Sequence, residues 1–572
     1  MIVASVSAFA ADTAPVTADA TISISNLDVG DTVNLYQVLH WVSGDGWRLT
    51  PAFDADAATS RPALNVENVN KLITPQKGQG VISLTKTDLE AITDYVKTYN
   101  VSPTKSEATA ATTYEYTTYT AASGETPAVD KSGMYLALVE PVNAGIVYNP
   151  MVVSADYADP ANTTDTLSAL STMGTSAVAK KEPVTLEKTE PKITNDINKT
   201  YNFTINTTVP VYSASFKNTY FKVTDKMSSY LDLVPGSIKL NGAAITDSNI
   251  TVTSDADAHG FTINFNDTYI KALTAAQAIE ITYSAKLNVT AEEAATLENV
   301  HVENNKVTVE FPNNPKDDTS KTVLKDGTFE YTFTIDGNIF GEEDWFTSEL
   351  IKVGLDQDGY PIEDVINTYH SEKTHAALNG ATFQLYTAES CAAGTEYSNE
   401  VWDGSITTAN DGRLYMPGLD AGTYYLKELT APAGYIKDTQ VHKIEIIADI
   451  NGDEDGEEGA SITEYWHEEN GEIVWSTDST TGTAYTYKVP VLNSYTVKFD
   501  GNTAASYNMT LTGPTHNLGI ITQDDKEIVN TKGVELPSTG GMGTTILYVG
   551  GSILVILAAI LLITKRRMNA ED

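Results

Sequence analysis

The sequence predicts an all-β protein: tandem immunoglobulin-like β-sandwich domains in a row, followed by one C-terminal transmembrane helix. Three observations carry that prediction. Short runs of alternating apolar and polar residues recur along most of the chain, and such alternation bounded by Gly, Asn, Asp and Pro is the pattern of a half-buried strand. At 572 residues the chain is too long for one core, and at roughly 150 residues per domain it implies three or four units. Ile546 to Ile563 is apolar, and a helix of about 18 residues rises roughly 27 Å, close to the thickness of a bilayer's hydrocarbon.

Composition narrows the function class. A net charge of −40 argues against binding nucleic acid or anionic lipid over most of the surface. Lys565, Arg566 and Arg567 follow the apolar run and should stay cytoplasmic, which places nearly everything before them outside the cell. Cys391 is the single cysteine, so an exported chain of this kind has no intrachain disulfide and any covalent staple must use other chemistry. The acidic run Asp449 to Gly456 fails as a calcium loop, because its sixth and twelfth positions are Glu454 and Ala460 rather than Gly and Glu. No phosphate-binding glycine loop, zinc-ligand spacing or Ser-His-Asp set occurs, so no metal, cofactor or enzyme cycle is expected.

In chain order, residues 1–10 read as the remnant of a secretory signal, with Ala8-Phe9-Ala10 before a cleavage point near Ala11. Residues 11–179 form a β-rich unit with strands at Thr21 to Ser25 and Tyr135 to Val139. Leu89, Ile92, Tyr95 and Val96 have helical spacing, which predicts a helix over Thr87 to Tyr99 packed on a sheet. Tyr114, Tyr116 and Tyr119 read as one face of a strand rather than a ligand platform, and Asp159 to Thr175 as a long loop. Residues 180–315 carry strands at Tyr201 to Ile205, Tyr220 to Val223, Ala278 to Thr282 and Lys306 to Phe311, the spacing of an immunoglobulin-like sandwich. Residues 316–534 carry strands at Phe329 to Phe333, Ala381 to Leu385, Thr423 to Leu426 and His442 to Ile446, with excess length that implies insertions between strands. Residues 535–572 hold the apolar span and its basic tail.

Two of these units have a lysine early, an asparagine late and an acid between them. First and last strands of a sandwich can lie side by side, so an amine and a carboxamide remote in sequence can meet in the core. Buried together, the lysine sheds its charge and the acid keeps its proton, so a neutral amine faces a polarised carbonyl. Attack expels ammonia and leaves an amide, a single-turnover reaction.

In the second unit, Thr185-Leu-Glu-Lys-Thr189, Phe221-Lys-Val-Thr-Asp225 and Asn304-Asn-Lys-Val-Thr-Val-Glu-Phe311 resemble the isopeptide-forming middle domain of Gram-positive backbone pilins. That resemblance implies a Lys188–Asn305 bond promoted by Asp225. Asn304 is the rival, but Val307, Val309 and Phe311 share a face with Asn305. In the third unit, Tyr424-Tyr-Leu-Lys-Glu-Leu-Thr-Ala-Pro-Ala-Gly-Tyr435 closely resembles the pilin E-box, YxLxExxAPxGY, of Cna B-type, transthyretin-like domains. The implied bond joins Lys352 to Asn530 under Glu428, with Asn493 and Lys325 as rivals for the two partners.

Leu536-Pro537-Ser538-Thr539-Gly540, the apolar run and the basic tail together resemble a cell-wall sorting signal, in which a sortase cuts between Thr539 and Gly540. The family resolves the resulting thioester with a lysine between its first two domains, often in a YPKN-like phrase that is absent here. Lys181, then Lys180, occupy that junction. The resemblance therefore implies the backbone subunit of a covalent pilus at the surface of a Gram-positive bacterium. Its partners would be a pilus-type sortase, identical subunits, minor pilins and peptidoglycan, with only transient anchoring in the membrane and no nucleic acid. The alternative is a monomeric wall-anchored adhesin that binds a host protein or glycan.

Overall fold

The computed structural model describes residues 20–42, 46–74, 82–119, 133–155, 176–335, 350–360, 376–408, 412–452, 459–523, 526–533 and 542–568. The expected signal remnant, the loop from Asp159 to Thr175 and the sortase motif lie outside them. Strands are the dominant regular element of the described chain before the last helix.

The first unit packs a sheet of Gly46–Leu49, Thr32–Val42, Gly133–Glu140 and Met151–Ala155 beside a smaller one of Thr113–Tyr119, Ala20–Ser25 and Ser176–Val178. The helix expected over Thr87 to Tyr99 spans Lys86–Thr98, and Thr85 and Asp88 close a reciprocal capping box at its start. Its Ile92, Tyr95 and Val96 are buried. A shorter helix, Glu67–Ile73, lacks a capping side chain and was not expected. Tyr114 is buried, and Tyr116 meets Tyr135 edge-on at 6.1 Å, so these two pack as a strand face, while the Tyr119 side chain lies outside what is described. The expected start of the second unit belongs partly here, because Lys181–Pro183 pairs with Ile146–Tyr148.

The second unit is a sandwich. One sheet runs Leu186–Thr189, Thr200–Val209, Gln277–Leu287 and Leu231–Leu233. The other runs Ile250–Ser254, Gly260–Phe265, Phe221–Met227, Val300–Phe311, Thr322–Ile335 and Met416–Leu419. Phe203, Phe221, Phe261, Ile281 and Val309 fill the space between the two sheets.

The boundary expected near residue 315 is crossed by a continuous ladder. Thr322–Ile335, expected to open the third unit, hydrogen-bonds along Val300–Phe311 from Thr322 to Phe333. Its far end pairs with Met416–Leu419 and buries Tyr331, Phe333 and Ile335 in the third unit's core. One strand thus serves both cores, because both of its faces are covered.

The third unit has a seven-stranded sheet: Ser405–Thr407, Thr382–Tyr386, Gly422–Thr430, Val441–Asn451, Val491–Phe499, Asn502–Thr512 and Thr515–Gln523. A three-stranded sheet, Ala376–Ala377, Leu350–Leu355 and Lys526–Thr531, sets its first strand parallel to its last. The expected insertion is a further small sheet of Glu472–Ser476, Ala460–Glu469 and Thr483–Val489. Met542–Met568 is a helix, and Leu547–Arg567 within it is long and apolar enough to cross a membrane.

Candidate functional site

In the second unit both sheets contribute to one buried cluster. Lys188 comes from the edge strand of one sheet, where it sits opposite Ile205; Tyr283, opposite Phe203, comes from the next strand but one. Asp225 and Asn305 come from adjacent strands of the other sheet, where alternation puts both on the inner face with Val307 and Val309. Asp225 and Asn305 have no exposed surface.

The Lys188 amine donates to Asn305 Oδ1 at 2.5 Å and to the Tyr283 hydroxyl at 2.7 Å, and forms an ion pair with Asp225. Tyr283 donates to Asp225, 3.0 Å from each carboxylate oxygen, and accepts from Asn305 Nδ2 at 2.7 Å. The Phe203 and Tyr283 rings stack at 5.3 Å and lie 5.6 Å and 5.3 Å from the amine. Burial pushes the Lys188 pKa down, opposed by the Asp225 charge. Burial likewise pushes the Asp225 carboxyl up, opposed by Lys188. Both shifts favour the neutral pair that amide formation requires. Asn304, the rival, is partly exposed and gives its backbone N–H to Ser228.

The third unit holds the second cluster. Lys352 pairs with Ile528 between the parallel strands, and Asn530 lies two residues further along, opposite Gly354. Glu428 faces them from the larger sheet. Lys352, Glu428 and Asn530 are all buried. The Lys352 amine donates to the Ile528 carbonyl at 3.0 Å and lies 3.7 Å from Glu428. Asn530 Nδ2 and the Asp438 N–H both donate to Glu428 Oε2, at 2.9 Å and 2.5 Å. Among the described residues, the Asn530 carbonyl oxygen and Glu428 Oε1 are buried without a hydrogen-bond partner. Burial lowers Lys352 to about 8.

The rivals lie elsewhere. Asn493 is exposed on Val491–Phe499. Lys325 pairs with Glu464 at 2.6 Å under the Trp475 ring, tying the inserted sheet to the shared strand. Sequence reasoning missed Tyr283, although Ile279, Ile281 and Tyr283 share one inward face. It also missed Glu190 and Glu330, whose carboxyls are buried together near Asn195 and Thr328.

At the junction of the first two units, Lys181 is ion-paired with Asp28, and Lys180 with Glu182 at 3.2 Å. Leu536, Pro537, Ser538, Thr539 and Gly540 lie outside the described residues.

Comparison with known proteins adds to this geometry. Residues 364–456 match the SpaA family of prealbumin-like fold domains, and residues 528–570 match the LPXTG cell wall anchor motif. The trypsin-resistant surface T6 protein of Streptococcus pyogenes serotype M6 is 24% identical over 76% of this chain and 79% of its own length. The solved T6 backbone pilin of that serotype, described as a modular three-domain structure, covers 90% of this chain and 98% of its own, at 18% identity and a TM-score of 0.51. The full-length major pilin SpaD of Corynebacterium diphtheriae covers 74% of this chain and 91% of its own, with 18% identity and a TM-score of 0.38.

Proposed function

We propose that this chain, a cell-wall-anchored pilin of the Gram-positive backbone type, is polymerised head to tail by a sortase and stapled internally by two lysine–asparagine amides. It is a structural subunit and not an enzyme. The observation that carries the reading is the burial of an amine, an acid and a carboxamide within hydrogen-bonding reach of one another between the sheets of the second unit. A purely structural sandwich gains little from such a cluster, because desolvating two charges costs about as much as their attraction returns. Conversion to a neutral amide removes that cost.

The chemistry balances at each site. The neutral lysine amine attacks the asparagine carboxamide carbon, the N–C amide bond forms, and the carboxamide nitrogen leaves as ammonia. Asp225, its carboxyl pushed up by burial, hydrogen-bonds the carbonyl oxygen as charge builds on it and passes a proton to the departing nitrogen, while Glu428 already accepts from the Asn530 carboxamide nitrogen that must leave.

The same two bonds explain the mechanics. A subunit joined at Lys181 and at Thr539 is pulled between those residues. Force entering near Lys181 reaches Lys188, crosses to Asn305, follows the shared strand toward Lys352 and crosses to Asn530. Residues 189–304 and 353–529 are bypassed, so their strand hydrogen bonds, worth about 0.5 to 1.5 kcal/mol net each, are not loaded in series. Each tie also restricts the unfolded chain, on the order of 2 to 5 kcal/mol by analogy with disulfides. The S. pyogenes relative is trypsin-resistant, as a chain stapled in this way should be.

Mixing the ectodomain with a pilus-type sortase tests the polymer. A ladder abolished by Lys181→Ala together with Lys180→Ala is expected. A monomer under all conditions would favour the wall-anchored adhesin instead.

A further inference from the structure

The junction lysines stand in different surroundings, and the difference points to a residue outside both internal clusters. Asp28 lies in the turn between Ala20–Ser25 and Thr32–Val42, remote in sequence from Lys181 yet ion-paired with its amine. That turn is braced. The Asp28 N–H donates to Asp31 Oδ2 at 2.7 Å, the Tyr148 hydroxyl donates to the same oxygen at 2.7 Å, and the Val142 N–H donates to Asp31 Oδ1 at 2.9 Å. Tyr148 is in turn the strand partner of Lys181. The backbone that carries the amine and the turn that carries the acid are therefore fixed to one another through the fully buried Asp31. The Lys181 and Asp28 side chains keep 23% and 35% of their surface exposed, so the pair is held and still reachable. Lys180 is 55% exposed and meets only the adjacent Glu182 among its described ion pairs.

We propose that Asp28 positions Lys181 for ligation and takes the proton its amine must lose. This rests on the reading of Lys181 as the acceptor of the sortase-bound Thr539 acyl group. An ammonium has no free electron pair. As the Lys181 nitrogen attacks the thioester carbonyl, the N–C bond forms, the C–S bond breaks and the sulfur leaves on the sortase cysteine. In going from ammonium to amide the nitrogen gives up two protons: the first passes through the Asp28 carboxylate to water and frees the electron pair, and the second, released as the N–C bond forms, is taken up by the departing cysteine sulfur. Among the described residues, Asp31 and Tyr148 are the titratable groups tied to the pair, and Lys180 and Glu182, its neighbours along the strand, pair with each other. Burial and the neighbouring Asp31 and Asp28 charges keep the Tyr148 phenol protonated, so it braces the turn and takes no proton from Lys181. A carboxylate beside an attacking amine is a general base in the ordinary sense, and its loss costs roughly a hundredfold to ten-thousandfold.

The test is the initial rate of ladder formation by full-length ectodomain and a pilus-type sortase across a pH series, for wild type, Asp28→Asn, Asp28→Glu, Lys181→Ala and Lys180→Ala. Asp28→Asn should slow ligation at neutral pH by roughly a hundredfold or more and change the shape of the pH–rate profile, with partial recovery in Asp28→Glu. Lys180→Ala should leave the rate unchanged. If Asp28→Asn lowers the melting temperature but keeps the wild-type rate and pH profile, Asp28 merely pins the strand and the proposal is wrong. If Lys181→Ala still forms the ladder, or wild type forms none, the reading on which it rests fails with it.

Discussion

The two internal clusters each combine a lysine, a carboxylic acid and an asparagine, with opposite geometry. In the second unit the amine lies on one sheet, and the acid and carboxamide lie on the other. A bond there ties the two faces of the sandwich together. In the third unit the amine and carboxamide lie on neighbouring parallel strands of one sheet, and the acid faces them from across the core. A bond there locks the first strand to the last. The expectation of side-by-side terminal strands holds only for the third unit. In the second, Leu186–Thr189 pairs with Thr200–Val209, and Val300–Phe311 belongs to the opposite sheet. Chemistry of this kind requires only that the groups converge in a dry core, not that their strands be neighbours.

Removing each acid breaks the comparison most forcefully. Asp225→Ala leaves the Lys188 amine buried beside Tyr283 and Asn305 without its ion-pair partner, which costs on the order of 3 to 5 kcal/mol. Chemical denaturation should show that loss, and the intact mass should exceed that of wild type by about 17 Da, apart from the substitution itself, because one ammonia is retained. Glu428→Ala should retain one ammonia in the same way and lose about 2 to 5 kcal/mol with the tie, while the second unit's bond still forms. Trypsin mapping of the two variants should report opposite halves of the molecule.

Tyr283→Phe sharpens the contrast, since the third unit has no counterpart to that hydroxyl among the described contacts of Lys352, Glu428 and Asn530. The ring stack with Phe203 is kept, while the hydroxyl that bridges Lys188, Asp225 and Asn305 is lost. Freshly expressed protein should then show a mixture of bonded and unbonded second units, with complete bonding in the third. The unbonded form should lose about 0.5 to 1.5 kcal/mol for the hydrogen bond.

Much of this was legible in the sequence because period two is a strict rule. Once Val307, Val309 and Phe311 define an inner face, Asn305 is on it and Asn304 is not. The E-box phrase likewise led to Glu428. What was hidden depends on which surface meets which. Thr328, Glu330, Thr332 and Thr334 alternate with aromatic residues in the manner of a solvated face, yet all four are buried, with Glu330 set against Asn195 and Glu190 while the aromatic face enters the third unit's core. Local alternation cannot reveal that a polar face is shared between domains, so the boundary was placed before Thr322–Ile335 rather than along it. Tyr283 went unnoticed for a related reason: an inward tyrosine looks like any core aromatic until its hydroxyl partners are known.

The smallest effect is expected where the two units meet. Burial pushes the Glu330 carboxyl from 4.5 up to about 7, so the folded chain holds this proton more tightly than the unfolded one. Its contribution to stability is full below about 4.5 and is lost as pH rises through about 7. Glu190, Lys188 and Asn195 face it and share in that balance. Glu330→Gln should therefore flatten the fall in stability between about pH 5 and pH 8, measured by urea denaturation, while leaving both ties intact.

The most direct measurement is tandem mass spectrometry of the proteolysed wild-type ectodomain. The account predicts two branched peptides, one joining Lys188 to Asn305 and one joining Lys352 to Asn530, and an intact mass lower by about 34 Da, roughly 17 for each ammonia lost. Linear peptides containing unmodified Lys188 and Asn305, together with the full calculated mass, would contradict it.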